Sequence, residues 1–159
     1  MSTPLRVVRH FSPTAYCITE YIPAERWLRT TWQGFISPAE AELGAKGALE
    51  SLQSGPVTCL LNDNSQIQGP WFDSVDWLQR VWAPKAAHLG LRYVAHVAQP
   101  HTEDDLGSVL LHNPFKNLEV QLFATAEDAA TWLRDCQRQA DQHPATTAAR
   151  PAADQSAAA

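Results

Sequence analysis

The feature that most restricts the fold is a pair of short segments made almost entirely of apolar residues. Residues 57–61 read Val-Thr-Cys-Leu-Leu, and residues 93–98 are similarly apolar apart from His96. Segments of this kind, without regular alternation of polar and apolar residues, are typical of strands that are covered on both faces. They indicate an α/β fold built around a central sheet.

The N-terminal half contains a predicted hairpin followed by a helix. Residues 16–22 and 27–32 are rich in β-branched and aromatic side chains, and the short connection that begins at Pro23 predicts an antiparallel pair. Ser37 and Pro38 suit the N-cap and the first position of a helix. Small apolar residues then recur at helical spacing, which predicts a helix lying close to the sheet.

Helices and strands alternate in the C-terminal half. A helix over residues 74–89 is interrupted by Pro84, and a short helix is predicted over residues 103–112. A strand over residues 118–123 and a final helix capped by Thr125 follow. The predicted fold is a mixed sheet of about five strands with helices packed on it, in the order β-β-α-β-α-β-α-β-α.

A chain of 159 residues is long enough for one domain. Residues 1–13 are interpreted as a polar leader and residues 14–142 as the folded domain. Residues 143–159 lack large apolar side chains, so we expect a disordered tail.

Composition argues against several classes of protein. The net charge is −5 and no basic stripe is present, which argues against nucleic acid as a partner. No apolar run reaches the roughly 20 residues of a membrane span. The three cysteines form neither a metal pattern nor a disulfide framework, so we expect a cytoplasmic protein without a metal or cofactor. No nucleophile elbow or phosphate-binding loop is present, so we expect no enzymatic activity.

The candidate site follows the apolar run at residues 57–61. Asn62, Asp63, Asn64 and Ser65 come where that strand is predicted to end, and ligand sites collect at the carboxyl ends of strands in open α/β sheets. The alternative interpretation is an ordinary turn, because Asn and Asp are frequent turn residues that bond to their own backbone. His96 has two interpretations. It is either a catalytic base or a metal ligand, or it is a buried residue of the core, which the lack of a second ligand at metal-binding spacing favours.

Two further aromatic residues belong to the candidate site. Trp71 and Phe72 follow Gly69-Pro70 and are predicted to lie in a loop, where they either form a pocket or partner surface or cover the sheet edge.

Several motifs together carry a family resemblance. They are Trp32-Gln33-Gly34-Phe35, Leu61-Asn62-Asp63-Asn64, Trp77-Leu78 before Ala83-Pro84-Lys85, residues 89–95, and Phe123-Ala124-Thr125 with residues 129–133. In this order they resemble the bacterial STAS-like proteins, which are related in fold to anti-sigma factor antagonists and to CRAL-TRIO lipid-binding domains. The resemblance implies a mixed sheet, no catalytic activity, and a serine phosphorylated by a partner kinase.

The phosphorylated serine of the antagonists lies in the pattern Asp-Ser-Ser-Gly-Leu. Here the sequence is Asp63-Asn64-Ser65-Gln66-Ile67, which makes Ser65 the candidate but lacks the second serine and the glycine.

Three functions follow from these residues. The first is a regulatory or protein-interaction module that contacts an unknown protein partner, or a second copy, through residues 62–72. The second is a small-molecule or lipid-binding domain with an apolar pocket of about 300 Å³ or more between the sheet and the helix over residues 74–89. The third is an enzyme that uses Asp63 or His96.

Overall fold

The computed structural model describes residues 6–99, 115 and 117–143, except for the side chains of Trp71 and Phe72. Its centre is a mixed six-stranded sheet in the order β1-β2-β3-β4-β5-β6. The strands are β1 Arg6–Ser12, β2 Ala15–Ile22, β3 Trp27–Phe35, β4 Cys59–Gln68, β5 Tyr93–Val97 and β6 Glu119–Phe123. The helices are α1 Pro38–Leu52, α2 Val75–Trp77, α3 Ala83–His88 and α4 Ala126–Gln142.

The strands β1, β2 and β3 pair antiparallel, whereas β3, β4, β5 and β6 pair in parallel, so β3 belongs to both parts of the sheet. β2 and β3 form the predicted hairpin, with Cys17 opposite Trp32. β3 then pairs in parallel with β4, β4 with β5 and β5 with β6. The α/β class and the mixed sheet are confirmed, and β6 is the last strand in the order of the described sheet.

The strand β1 differs from the prediction. Arg6–Ser12 falls within the predicted polar leader, but these residues pair antiparallel with β2 and raise the strand number to six. Successive side chains of a strand point to opposite faces of the sheet, so every second residue of β1 faces α1. Arg9 Nη2 donates to Glu50 of α1 at 2.8 Å, and Phe11 packs on the neighbouring core.

The two long helices begin where their caps predict. Ser37 Oγ accepts a hydrogen bond from the backbone N–H of Glu40 at 3.2 Å, and Thr125 Oγ1 accepts one from Asp128 at 3.1 Å. These bonds satisfy N–H groups that have no partner inside the helix. The side of α1 that faces the sheet is made mostly of Ala and Gly, so the helix lies close to the strands.

A single helical segment connects β4 to β5. It begins with a 3₁₀ turn, Trp71–Ser74, continues as α2, widens into a π turn at Leu78–Trp82 and ends as α3. In the π turn the N–H of Ala83 bonds to the carbonyl of Leu78, five residues earlier. The wide turn lies directly before Pro84, which lacks an N–H, and it takes the place of the kink predicted there.

Helices cover the two faces of the sheet. α1 and the helical segment pack on one face against Leu28, Leu60 and Val94, which we call the α1 face. α4 packs on the opposite face, the α4 face, where Ala129 and Leu133 contact the neighbouring residues of the parallel strands. The helix predicted over residues 103–112 and the tail after His143 lie outside the described residues.

All three cysteines are buried and free. Burial raises the pKa of Cys17 to about 12 and that of Cys136 to about 11, and it also raises the pKa of Cys59. The thiolate is the reactive form, so these residues contribute packing rather than chemistry.

Candidate functional site

The polar cluster at residues 62–65 lies inside a strand rather than in a loop after it. β4 continues to Gln68, so the predicted end at Leu61 is wrong. Thr31 pairs with Asp63 but Gln33 pairs with Gln66, which leaves two residues of β4 opposite one of β3. Such a β-bulge bends the strand and turns its side chains in new directions.

Hydrogen bonds from Ser65 to Asp63 hold the bulge. The backbone N–H of Ser65 donates to Asp63 Oδ1 at 3.0 Å and the Ser65 hydroxyl donates to the same oxygen at 2.7 Å. Arg29 Nη2 donates to the other carboxylate oxygen, Oδ2, at 3.2 Å. Asp63 is therefore buried and bonded to its own strand and to β3, and the prediction that it lies at a strand end is wrong.

Alternation along β4 divides the cluster between the two faces of the sheet. Asp63 and Arg29 lie on the α4 face, whereas Asn62 and Asn64 lie on the α1 face. The four residues predicted as one site therefore do not share one face of the sheet. Asn62 and Asn64 remain candidates for binding, and Ser65 is half-buried with its hydroxyl directed at a carboxylate.

Asn62 connects two aromatic side chains on the α1 face. Trp32 Nε1 donates to Asn62 Oδ1 at 2.9 Å, and Asn62 Nδ2 lies 3.0 Å from His96 Nδ1. Indole N–H can only donate, so the amide oxygen must face Trp32 and the amide nitrogen must face His96. Nδ1 of His96 is therefore an acceptor, and the proton of the neutral ring is on Nε2.

His96 is buried, and its surroundings favour the neutral ring. Burial lowers the pKa of His96 from 6.5 to about 4, and the negative charge of Asp63 opposes this shift only in part. Desolvation disfavours a charged imidazolium because the surrounding protein solvates it less well than water does. At neutral pH His96 is an uncharged hydrogen-bonding group.

A cavity of about 100 Å³ separates these side chains from the helices. Four polar residues of the sheet line it: Thr30, Asn62, Asn64 and His96. The helices contribute a mostly apolar wall made of Ala41, Ala45, Ala48, Ser74, Val75, Leu78 and Trp82. The cavity lies where a pocket was predicted, between the sheet and the segment that follows residue 74, but it is smaller than the predicted size.

The π turn contributes two residues to this wall, Leu78 and Trp82. Trp82 Nε1 donates to the backbone carbonyl of Ala45 at 2.8 Å, which fixes the helical segment against α1. π turns occur frequently at functional sites, since the extra residue changes which side chains face inward.

The chemistry of the lining favours binding over catalysis. Among its described residues the lining contains no Asp, Glu, Lys or Arg. His96 is the one titratable side chain among these described lining residues. Asp63, the other residue considered as an acid or base, lies on the opposite face. Within residues 6–99, 115 and 117–143, no group of His, Cys, Asp and Glu is arranged to hold a metal ion.

Several residues of the cavity were not singled out by sequence reasoning. Trp32 and Thr30 both line the cavity, and neither is a candidate site residue in the sequence analysis. The parallel register places Thr30 beside Asn62, and Asn62 beside His96, so these three side chains form a row across the sheet. The backbone of Trp71 and Phe72 forms the 3₁₀ turn, and their side chains lie outside the described part of the structure.

Comparison with known proteins bears on the fold. No protein-family model matches the chain, and no curated protein matches it. The solved structure of an uncharacterized DUF3478 family protein from Shewanella loihica PV-4, described as having a SpoIIAA-like fold, matches with a TM-score of 0.50. The chain has a SpoIIAA-like fold. The sequences are 19% identical, and the match covers 84% of this chain and 98% of the other.

A likeness at this identity concerns the fold alone, and the fold it shows agrees with the STAS-like architecture expected from the motifs. In the described part of the chain, no helix is both long and apolar enough to cross a membrane.

Proposed function

We propose that this protein is a non-enzymatic module that binds a small, mostly apolar molecule in the cavity on the α1 face. The observation that carries the proposal is the cavity itself, about 100 Å³ in volume, between helices that present apolar side chains and a sheet that presents polar ones. An apolar pocket with a few convergent polar groups is the usual form of a small-molecule site.

The volume limits the size of the ligand. Drug-sized ligands need about 300 Å³ or more, whereas an apolar cavity of about 150 Å³ is known to bind benzene. A cavity of about 100 Å³ therefore fits a molecule of roughly one small ring. Burial of each CH₂ group contributes about 0.8 kcal/mol, so such a ligand binds by desolvation of its carbon skeleton.

A titration with an apolar probe tests this function. Toluene added to the ¹⁵N-labelled full chain should shift the amide signals of residues around Ala45, Val75 and Val94, which line the cavity. Native mass spectrometry of freshly purified protein adds an independent readout, a retained mass. Saturable shifts at these residues are the expected result, and shifts spread evenly over the surface would contradict the proposal.

A matched pair of variants locates the binding. Ala45→Leu fills the cavity, because Ala45 lines it. Ala130→Leu makes the same change on α4, against the opposite face of the sheet. Toluene binding should be lost in the first variant and kept in the second. Equal binding to both would place the probe elsewhere.

A second function is favoured by one exposed aromatic side chain. Phe35 is 61% exposed at the carboxyl end of β3, next to Gly69 and the Trp71–Ser74 turn. Aromatic residues, phenylalanine included, are enriched in protein interfaces. We infer a regulatory contact with a protein partner, or with a second copy of the chain, at this end of the sheet.

The partner contact is tested at Phe35 itself. A photo-crosslinking residue at position 35 should give a discrete crosslinked species in cells, whereas the same residue at position 43 should not. Leu43 is the matched control because it is also exposed, at 48%, but lies on α1. Identical crosslinking from both positions would count against a specific surface.

A further inference from the structure

Asn62 differs from the other polar residues of the cavity because part of it remains accessible. Four polar residues of the sheet line the cavity, and three of them are buried, namely Thr30, Asn64 and His96, whereas Asn62 is half-buried. The backbone of Asn62 is paired on both edges, with β3 on one side and β5 on the other. Its accessible surface therefore belongs to the side chain, which lies on the α1 face and lines the cavity.

The two hydrogen bonds of this amide run across the sheet in opposite directions. Trp32 of β3 donates to Asn62 Oδ1 at 2.9 Å, and Asn62 Nδ2 donates to Nδ1 of His96 in β5 at 3.0 Å. β4 lies between β3 and β5, so the two partners lie on opposite sides of Asn62. Side chains of a strand stand roughly perpendicular to the sheet, so the amide stands upright between its two partners.

The amide nitrogen of Asn62 has a second N–H, because a primary amide carries two donors. The two N–H bonds diverge in the plane of the amide. One points sideways to His96, so the other points away from the sheet, towards the wall formed by α1 and the π turn. That wall is mostly apolar, and among the described residues no acceptor binds the second N–H. A ligand in the cavity can supply the acceptor.

The rest of the lining restricts the chemistry of this acceptor. The described lining residues include no Lys or Arg, so a carboxylate or phosphate in the cavity would have no counterion there. Burial of an unpaired charge is strongly unfavourable. A hydroxyl group brings a donor that needs an acceptor of its own, whereas a carbonyl oxygen only accepts. The acceptor that matches the second N–H is therefore an uncharged carbonyl oxygen.

We propose that the cavity binds a small uncharged carbonyl compound, a ketone, aldehyde or ester, whose oxygen accepts a hydrogen bond from the second N–H of Asn62 and whose carbon skeleton contacts the apolar wall formed by α1 and the π turn. This inference rests on the proposed binding function and adds the chemical class of the ligand. Asn62 is the residue that distinguishes a carbonyl compound from a hydrocarbon of the same shape.

Two probes of the same shape test the carbonyl group. Cyclopentanone and methylenecyclopentane differ only in the replacement of the carbonyl oxygen by a CH₂ group. In the ¹⁵N-labelled full chain, the two side-chain N–H protons of Asn62 give separate signals. Saturation with cyclopentanone should move one of them downfield, because an N–H proton moves downfield when it donates a new hydrogen bond. Saturation with methylenecyclopentane should not.

A variant removes the donor and keeps the shape of the side chain. In Asn62→Asp, one carboxylate oxygen accepts from Trp32 and the other accepts from His96 with its proton on Nδ1. An acceptor then faces the cavity and repels the ketone oxygen. The affinity for cyclopentanone divided by that for methylenecyclopentane should fall at least fivefold. Hydration of the free probes cancels in this comparison, and a general effect of the added charge would favour the more polar ketone.

Thr30→Val is the matched control. Thr30 also lines the cavity, but it is 2% exposed and its hydroxyl lies 3.0 Å from that of Thr19. The affinity ratio of this variant should stay within twofold of that of the unmodified protein. Equal falls in the two variants would contradict the role assigned to Asn62. If Asn62→Asp does not fold, the Asn62 proton signals of the unmodified protein still decide the inference.

The possible failures are distinguishable. If both probes bind and cyclopentanone does not move an Asn62 proton downfield, the carbonyl inference is overturned while the binding function stands. Binding of toluene and methylenecyclopentane together with exclusion of cyclopentanone has the same meaning. If none of the three probes binds, the binding function fails as well.

Discussion

The side-chain amide of Asn62 donates a hydrogen bond to Nδ1 of His96 across 3.0 Å. Its direction is set from the far side of the amide, where Trp32 donates to the Asn62 oxygen at 2.9 Å. Three side chains from three adjacent strands thereby take one arrangement. This row of side chains orients the polar side of the cavity, and burial keeps His96 neutral.

Truncation of Asn62 should be costly. Asn62→Ala leaves the Trp32 indole N–H and His96 Nδ1 without their present partner, and each buried unsatisfied group costs about 1–3 kcal/mol. We expect the free energy of unfolding, measured by urea denaturation, to fall by about 2–6 kcal/mol.

Asn64→Ala is the matched control for this prediction. It removes the same side chain two residues away on the same face, but its Oδ1 makes no hydrogen bond that could be lost. We expect a change of less than about 1 kcal/mol, because no partner is left unsatisfied. Equal losses in the two variants would contradict the bonded role of Asn62.

His96 should make stability depend on pH. Its pKa is about 4 in the folded protein against an ordinary value of 6.5, so between these values the unfolded chain binds more protons. Its contribution to stability is complete above pH 6.5 and is lost as pH falls from there towards 4. From 1.36 kcal/mol per pKa unit, the loss between pH 7.5 and 5.0 is about 2 kcal/mol.

The measurement is a comparison of urea denaturation at the two pH values for the unmodified protein and His96→Gln. Glutamine does not titrate, and its carbonyl oxygen can accept from the Asn62 amide. The carboxylates are common to both proteins, so their contributions cancel. Parallel pH profiles would show that His96 does not carry the effect.

Much of the fold could be predicted because its signals are local. The apolar runs identify β4 and β5, and the caps at Ser37 and Thr125 mark where α1 and α4 begin. β1 was missed because its sequence is mostly polar. Its place in the sheet depends on main-chain pairing with β2 and on the contact of Arg9 with Glu50, neither of which is visible in the local pattern.

The local structure of the predicted site differs from the expectation. Asn62 to Ser65 resemble a turn because Asn and Asp satisfy their own backbone in loops. In the structure Asn62 instead bonds Trp32 and His96, which are 30 and 34 residues away along the chain. Contacts at this separation depend on strand register, which residue types alone do not determine.

Gly44 of α1 should not tolerate a side chain. A Cβ there would lie 2.6 Å from Cζ3 of Trp32 and 3.0 Å from Sγ of Cys17, both of which are buried. Gly44→Ala should therefore displace the ring that orients Asn62, at a cost of about 1–3 kcal/mol. Calorimetric melting temperatures measure the effect.

Gly47, on the same helix, provides the control. A Cβ there meets only Val7, with Cγ1 at 3.2 Å, and replacement of glycine by alanine favours a helix by about 1 kcal/mol. Gly47→Ala should be neutral or slightly stabilising. If both alanine variants melt at the same temperature, close packing of Trp32 on α1 is not what limits position 44.

Ser65 tests whether a negative charge can be placed at the bulge. Its hydroxyl donates to Asp63 at 2.7 Å, so Ser65→Ala loses a bond to a charged acceptor, at about 1.5–3 kcal/mol. Ser65→Asp should be less stable than Ser65→Ala, because it also places a carboxylate beside a carboxylate. Gln66→Glu adds the same charge at the next, exposed position of β4, and should change stability by less than about 0.5 kcal/mol.

Phosphorylation at Ser65 would act in the same direction, since a phosphate carries up to two negative charges and no longer donates the hydroxyl proton. Asn64 shares the bulge, so a change at Ser65 should also shift the amide signals of cavity residues such as Val94. We expect those shifts in Ser65→Asp and not in Gln66→Glu. If Ser65→Asp is as stable as Ser65→Ala and the amide signals of the cavity residues do not change, a charge at Ser65 does not affect the cavity.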